Sequence, residues 1–370
     1  MKIGLNATCF NTRPSGANQR FFGIYDQLFK LMPDAEFVIY HSYDSDTSSW
    51  FDHENIRFIK APISIKNRID KITHGFFFWK SIFKKENFDL FESFNLPLAP
   101  VSNTIAFQTI HDIRSIALKD LKVKKLVSRH FHSSAIKKAS RIITVSDSMK
   151  NEILNYFPNT SISRIYNGIN VDSFRNLEIS NLDALRTRLS LPKDFLLSVG
   201  HFENRKNYSN LIHAIHLLKE RGFLCSLVII GNDNGSKYLL EKQIKSLGLG
   251  DHVKLFSNIG FKDFQLIYRM CKFFIFPSLY EGFGIPILES MASGKSMALS
   301  NLSVFQEITE GKYFYFDPLK PESIALSIIE LFEKDYLVRD SISYGYKRVD
   351  DFDFNNIARQ LKKLYTSHHG

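Results

Sequence analysis

Two carboxylates in the stretch "SLYEGFGIPILES" bracket a glycine-bearing turn and a proline: Glu281 precedes Gly282-Phe283-Gly284, and Glu289 follows Pro286. The run "KFFIFPS" ahead of them and "MASGK" behind them read as strand, loop and helix, with Pro286 suited to the first helical turn. Glu289 is equally well explained as an acid favoured by the dipole in that first turn. Glu281 stands where a strand ends and a loop opens, which is where parallel sheets bind ligands. A pair of cations has the same kind of address. In "SVGHFENRKNYSNLI", Gly200 ends a strand, and Arg205 and Lys206 precede a helix that begins near Asn207. Arginine as a fork of donors and lysine as a compact charge suit a diphosphate, although adjacent cations are often only solvated surface.

The first half of the chain holds two further candidates. "FQTIHDIRS" places His111-Asp112 at the end of an apolar strand, and "NATCFNTRPSGANQR" places Ser15-Gly16 at a strand-to-helix turn. Such a turn offers N–H groups and a helix N-terminus to phosphate. The full G-x-G-x-x-G spacing is absent, and an ordinary βα turn fits Gly16 as well. "IYNGINVDSF", with Asn167-Gly168, reads as a turn. With no Ser/His/Asp triad, metal cluster or Walker loop in the sequence, the chemistry expected is positioning and charge stabilisation of a phosphate leaving group.

These residues need a scaffold that brings strand ends together. Short apolar runs alternate with helical stretches: "KIGLN", "EFVIYH", "IRFIKA", "FDLFES", "TIAFQTIHD" and "RIITVSD", then "FLLSVGH", "CSLVIIGN", "HVKLFSN", "KFFIFPS", "SMALSN" and "YFYFD". In "ANQRFFGIYDQLFKLM", Phe21, Tyr25, Leu28 and Met32 recur at helical spacing, and "LVSRHFHSSAIKKA" reads as a second long helix. Two αβ series predict two parallel, helix-covered sheets with a cleft at their carboxyl ends. A chain of 370 residues also exceeds what one core supports. We place the domains at 1–175 and 193–350, with the stretch 176–192 as a crossover and the last helix, 354–368, serving no strand of the second series and packing back on the first domain.

Composition narrows the function classes. Cys9, Cys225 and Cys271 are widely spaced, which disfavours a disulfide framework or structural zinc and fits a reducing compartment. Neither a signal-peptide core nor a membrane span is visible, so a cytoplasmic protein is expected. The net charge of +10 is uneven: residues 1–170 hold 23 Lys/Arg against 15 Asp/Glu. A basic first half points to an anionic partner such as a membrane surface or a phosphorylated substrate, and no nucleic-acid signature is present. "HGFFFWKSIFKKENFDLF" is aromatic and basic, as an interfacial helix would be, but it also reads as a buried helix feeding the next strand.

Taken in order, these segments resemble the retaining glycosyltransferases of family 4, which have the GT-B fold of two Rossmann-like domains facing across a cleft, with a C-terminal crossover helix. "EGFGIPILE" resembles the family's E-x(7)-E motif, and "VGHFENRKNYSNLIHAI" its "G…RKN" segment. "FQTIHDI" resembles its "HD", "TVSDSMKNEI" its "TVS" helix start and "YNGIN" its "NGID". The resemblance implies that Glu281 binds hydroxyls of the donor sugar, Glu289 the ribose, and the Gly282–Gly284 amides the sugar between them. Lys206 and Arg205 would hold the diphosphate, Gly16 would approach it from the first domain, and His111 would lie near the transferred sugar. His201 stands where many members have arginine, and "PSGAN" replaces the family's Gly-Gly loop. Family habit implies no metal and no cofactor beyond the nucleotide-sugar donor. It also implies a glycan or lipid-linked acceptor in bacterial surface polysaccharide, O-antigen or lipopolysaccharide synthesis, with mannose from GDP-mannose as the first choice. A sugar-nucleotide epimerase of the same fold, or a non-catalytic peripheral membrane or scaffold protein, are the alternatives. A nicotinamide dehydrogenase is disfavoured for want of its glycine fingerprint.

Overall fold

The computed structural model describes residues 1–11, 15–65, 68–96, 104–117, 122–178 and 182–367, with side chains described from residue 74 and residue 126 in the helices that begin at 68 and 122. The chain divides into two compact units, Met1–Ile169 with Phe352–Gly370, and Asn170–Asp351. The first crossing therefore falls at 169/170 rather than between 175 and 193, and the chain returns at 351/352, so that the last helix belongs to the first unit. The stretch expected as a crossover carries a helix, Leu182–Leu189, and belongs to the second unit.

The first unit is built on seven parallel strands: β1 Lys2–Asn6, β2 Glu36–Ser42, β3 Ile56–Ala61, β4 Leu90–Ser93, β5 Ile105–Ile110, β6 Arg141–Thr144 and β7 Ile162–Arg164. Their spatial order is β3-β2-β1-β4-β5-β6-β7. β7 is an addition to the six expected: three residues, Ile-Ser-Arg, leave no apolar run to recognise. Successive strand residues alternate between two helical layers. Ile3, Leu5, Phe37, Ile39, Leu90 and Phe107 face the helices Gly16–Leu31 and Phe354–Thr366. Val38, Tyr40 and Phe91 face the helix Arg68–Lys85, and Ala106 meets Ala135 of the helix Lys122–Lys138.

Helix Gly16–Leu31 buries Phe21, Ile24, Tyr25, Leu28 and Phe29, the i, i+3, i+4, i+7, i+8 stripe of a core-facing helix. The last helix seats on it because Gly23 has no side chain there: a Cβ at Gly23 would fall 2.1 Å from the Phe354 ring.

The second unit holds β8 Leu196–Val199, β9 Leu227–Ile230, β10 Val253–Phe256, β11 Phe273–Phe276, β12 Met297–Ser300 and β13 Phe314–Phe316, in the order β10-β9-β8-β11-β12-β13. These are the six strands expected. Both sheets change winding direction once, between β1 and β4 in the first unit and between β8 and β11 in the second. Crevices for ligands form at the carboxyl ends of strands at such switch points. No helix among the described residues is long and apolar enough to cross a membrane.

Candidate functional site

The second sheet brings its candidate residues together at that switch point. β8 is followed directly by Gly200, whose φ of +148° is open only to glycine at low cost. Tyr208 donates its hydroxyl to the Gly200 carbonyl at 2.9 Å. A short 3-10 turn, Asn204–Lys206, then delivers the two cations, and Asn207 in the left-handed region (φ 58°) starts helix Tyr208–Glu220. The Asn207 amide donates to the carbonyls of Pro277 (3.0 Å) and Pro318 (2.7 Å), and Leu279 N–H donates to Arg205 O at 2.8 Å. The loops after β8 and β11 are thus stitched to one another by the Asn207 side chain and by one backbone pair, between groups 70 residues or more apart in the chain.

Glu281 sits at the centre of this seam. Its Oε1 accepts from Lys206 Nζ at 2.7 Å and from Ser278 Oγ at 2.8 Å, and pairs with Arg205 at 2.9 Å. Arg205 also pairs with Glu203 at 2.6 Å and donates to Tyr280 O at 3.1 Å. The hydrogen bonds from Lys206 and Ser278 and the 2.9 Å approach of Arg205 all fall on Oε1. No donor among the described residues reaches Oε2, which is the oxygen available to a ligand hydroxyl. Burial alone pushes the Glu281 carboxyl up, but the Lys206 ammonium, the Arg205 guanidinium and the hydrogen bonds outweigh it and hold it below its usual range. Burial pulls the Lys206 ammonium down, Glu281 opposes this, and Arg205 adds to it. Lys206 also lies 5.0 Å from the centroid of the Phe276 ring. The cations read from the sequence as a diphosphate pair are therefore held by carboxylates, two against two.

Glu289 corrects its own simple explanation. Helix Ile285–Ala292 begins after Gly284 (φ 137°), so Glu289 is its fifth residue, past the first turn where the dipole acts. It is buried, with Oε2 accepting from Tyr268 at 2.8 Å. Burial pushes its carboxyl up to about 7, against the Tyr268 hydrogen bond and the distant Lys206 charge. Phe283 is buried and anchors the glycine loop, while Gly282 and His201 are half-buried. The His201 imidazole has no partner among the described residues.

His111 and Gly16 belong to the first unit. Gly16 opens its helix behind Ser15, whose Oγ accepts from Asn18 N–H at 3.2 Å; Pro14 of the "PSGAN" loop lies outside the described residues. His111 follows β5 with its Nε2 buried and unpartnered, and burial, reinforced by the Arg20 charge, pushes its imidazole down to about 3. It is a neutral group. Asp112 instead caps its own turn, accepting from Arg114 N–H at 3.1 Å.

Sequence reasoning missed three residues around these sites. Arg20 is buried and donates to the carbonyls of Ile165 (3.2 Å) and Tyr166 (2.7 Å) and to Asn167 Oδ1 (3.3 Å), so it pins the "YNGIN" turn. Its signal was a charge inside the apolar stripe of its helix. Glu92, in the middle of β4, is buried and accepts from Tyr25 at 2.8 Å and from Thr109 and Tyr365, tying two helices to two strands. Tyr268, the partner of Glu289, had no signal of its own.

Comparisons with known families and structures bear on the family and the fold. A model described as "Glycosyl transferases group 1" matches residues 185–348, and one described as "Glycosyltransferase Family 4" matches residues 34–173. The chain is 26% identical to the O-antigen chain mannosyltransferase RfbU of Salmonella typhimurium, covering 68% of this chain and 67% of that protein. It is 24% identical to O-antigen chain mannosyltransferase B of Escherichia coli, covering 70% of each. Among solved structures, Anabaena Alr3699/HepE in complex with UDP superposes with a TM-score of 0.75 at 16% identity, over 99% of both chains. The expected GT-B class, with its two Rossmann-like parallel-sheet units, is what the chain has.

Proposed function

Since the chain belongs to the family 4, group 1 glycosyltransferases, we propose that it transfers mannose from GDP-mannose, with retention of anomeric configuration and without a metal, to an O-antigen or other lipid-linked glycan at the cytoplasmic face of a membrane. The observation that carries the site is the convergence of Lys206, Arg205 and Ser278 on one oxygen of Glu281, where β8 and β11 end side by side. The relatives named for O-antigen mannosyl transfer support the sugar and the acceptor class, and the UDP complex of HepE supports a nucleotide-sugar donor.

In this reading Glu281 Oε2 accepts donor-sugar hydroxyls, and the Gly282–Gly284 loop lies against the sugar. Glu289 accepts from the ribose while Tyr268 holds its other oxygen. Lys206 and Arg205 stabilise the negative charge that builds on the nucleotide diphosphate as the glycosidic bond breaks, which is the work a metal would otherwise do. His201, half-buried just after β8, lies beside the diphosphate.

The test is a panel of sugar nucleotides, with nucleotide release followed with and without a lipid-linked glycan acceptor, and with a chelator added. GDP release that requires acceptor and survives the chelator is expected. Lys206→Ala and Glu281→Ala should each lower kcat/KM by about 100-fold or more. Wild-type turnover in either variant sinks the site assignment. Product formed from the donor alone marks an epimerase, and inversion seen by anomeric NMR ends the retaining proposal.

A further inference from the structure

Helix Arg68–Lys85 has two unlike faces. Inward, Trp79 is buried against Tyr40 and Phe91, with ring centroids 5.0 and 5.4 Å away, and Phe78, Ile82 and Phe83 pack beside it. Outward, Phe77, Lys80 and Lys84 recur at spacings of three and four and so share one side, with Phe76 one turn before Lys80. Phe76 is 50% and Phe77 71% exposed. Lys80, Lys84 and Lys85 are exposed as well, and no carboxylate among the described residues pairs with any of them. Beside this face lies an apolar groove of about 500 Å³ lined by Tyr43, Pro62, His74, Phe77 and Phe78.

The second helix of the same layer repeats the pattern. Lys122–Lys138 exposes Leu126 (71%) and Val127 (50%) next to exposed Arg129. Both helices cover the sheet face opposite the one that carries Gly16–Leu31 and Phe354–Thr366. Clustered exposed apolar side chains mark a binding surface. The unpaired cations beside them select the occupant. Two copies of so basic a face would repel one another, whereas an anionic bilayer offers an apolar interior beneath phosphate headgroups.

We propose that this layer of the first unit docks on an anionic phospholipid bilayer. Phe76 and Phe77 enter the boundary between headgroups and acyl chains, and Lys80, Lys84, Lys85 and Arg129 meet the phosphates. None of these residues belongs to the site described above, so the proposal stands apart from the sugar-transfer reading.

The experiment is flotation of the full chain with vesicles of equimolar phosphatidylglycerol and phosphatidylcholine, against phosphatidylcholine alone. Binding to the anionic vesicles only, released by high salt, is expected. Each lysine near such a surface is worth about fivefold in partitioning, so Lys80→Gln, Lys84→Gln and Lys85→Gln together should lower it roughly 100-fold. Phe76→Ser with Phe77→Ser should lower it roughly tenfold. Both variants should keep the wild-type far-UV circular dichroism and nucleotide release on a detergent-solubilised acceptor, which separates lost docking from lost folding. Absence of flotation, equal partitioning onto the neutral vesicles, or a triple-lysine variant that floats like wild type overturns the proposal. It also falls if the phenylalanine variant converts a dimer to a monomer in sedimentation while floating unchanged, because the face then binds a second copy.

Discussion

Replacing Glu281 by glutamine strips the buried Lys206 ammonium of a carboxylate 2.7 Å away and leaves Arg205 beside it with no charge between them. Two unit charges at that distance attract by about 6 kcal/mol at an effective dielectric of 20. Much of that offsets desolvation already incurred, so the loss expected in stability is about 3 kcal/mol. Lys206→Met leaves Glu281 still paired with Arg205 at 2.9 Å, and should cost about 2 kcal/mol. In the double variant no lone charge is stranded, so its cost should fall short of the sum by about 2 kcal/mol.

The molecule supplies its own means of reading this by urea unfolding. Both tryptophans, Trp50 and Trp79, lie in the first unit, so their fluorescence follows that unit while far-UV circular dichroism follows both. The transition that moves should be the one fluorescence does not see. Additivity of the two single changes within about 0.5 kcal/mol would refute the coupling. A shift of the fluorescence transition would show that the perturbation is not confined to the second unit.

Two more outcomes follow from buried contacts. The Glu289 carboxyl is raised from 4.5 to about 7 by burial, so the folded chain holds a proton there that the unfolded chain releases. Its contribution is undiminished below about pH 4.5, declines as pH rises toward 7, and above that leaves a penalty of about 3 kcal/mol. Glu289→Gln should flatten the fall in melting temperature between pH 5 and 8, and an unchanged fall in the variant refutes the assignment. Gly23→Val should drive a side chain into the Phe354 ring and destabilise the first unit by about 2 kcal/mol, seen in tryptophan fluorescence; equal or greater stability would show that the last helix yields freely.

Much of the candidate site was legible because its landmarks are local. A strand that ends in Gly200, a strand that ends before Glu281, and Pro286 at the head of a helix are each encoded within a dozen residues. The same locality explains the errors. Glu289 read as a first-turn acid because its distance from the helix start depended on where the loop released the chain. The aromatic helix reads from its sequence as interfacial or as buried, and its two faces differ: Trp79 is core, while Phe76 and Phe77 are exposed.

By itself, then, the order of residues determined the alternation of strands and helices, the division into two αβ units and the chemical types waiting at the strand ends, since periodicity and turn chemistry act over a few neighbours. Only the tertiary structure decided that Lys206 meets Glu281, that Tyr268 holds Glu289, and that Arg20 and Glu92 are buried with partners far along the chain. Those contacts exist because β8 lies beside β11, and β1 beside β4, and such neighbours are chosen by packing of the whole sheet rather than by any segment within it.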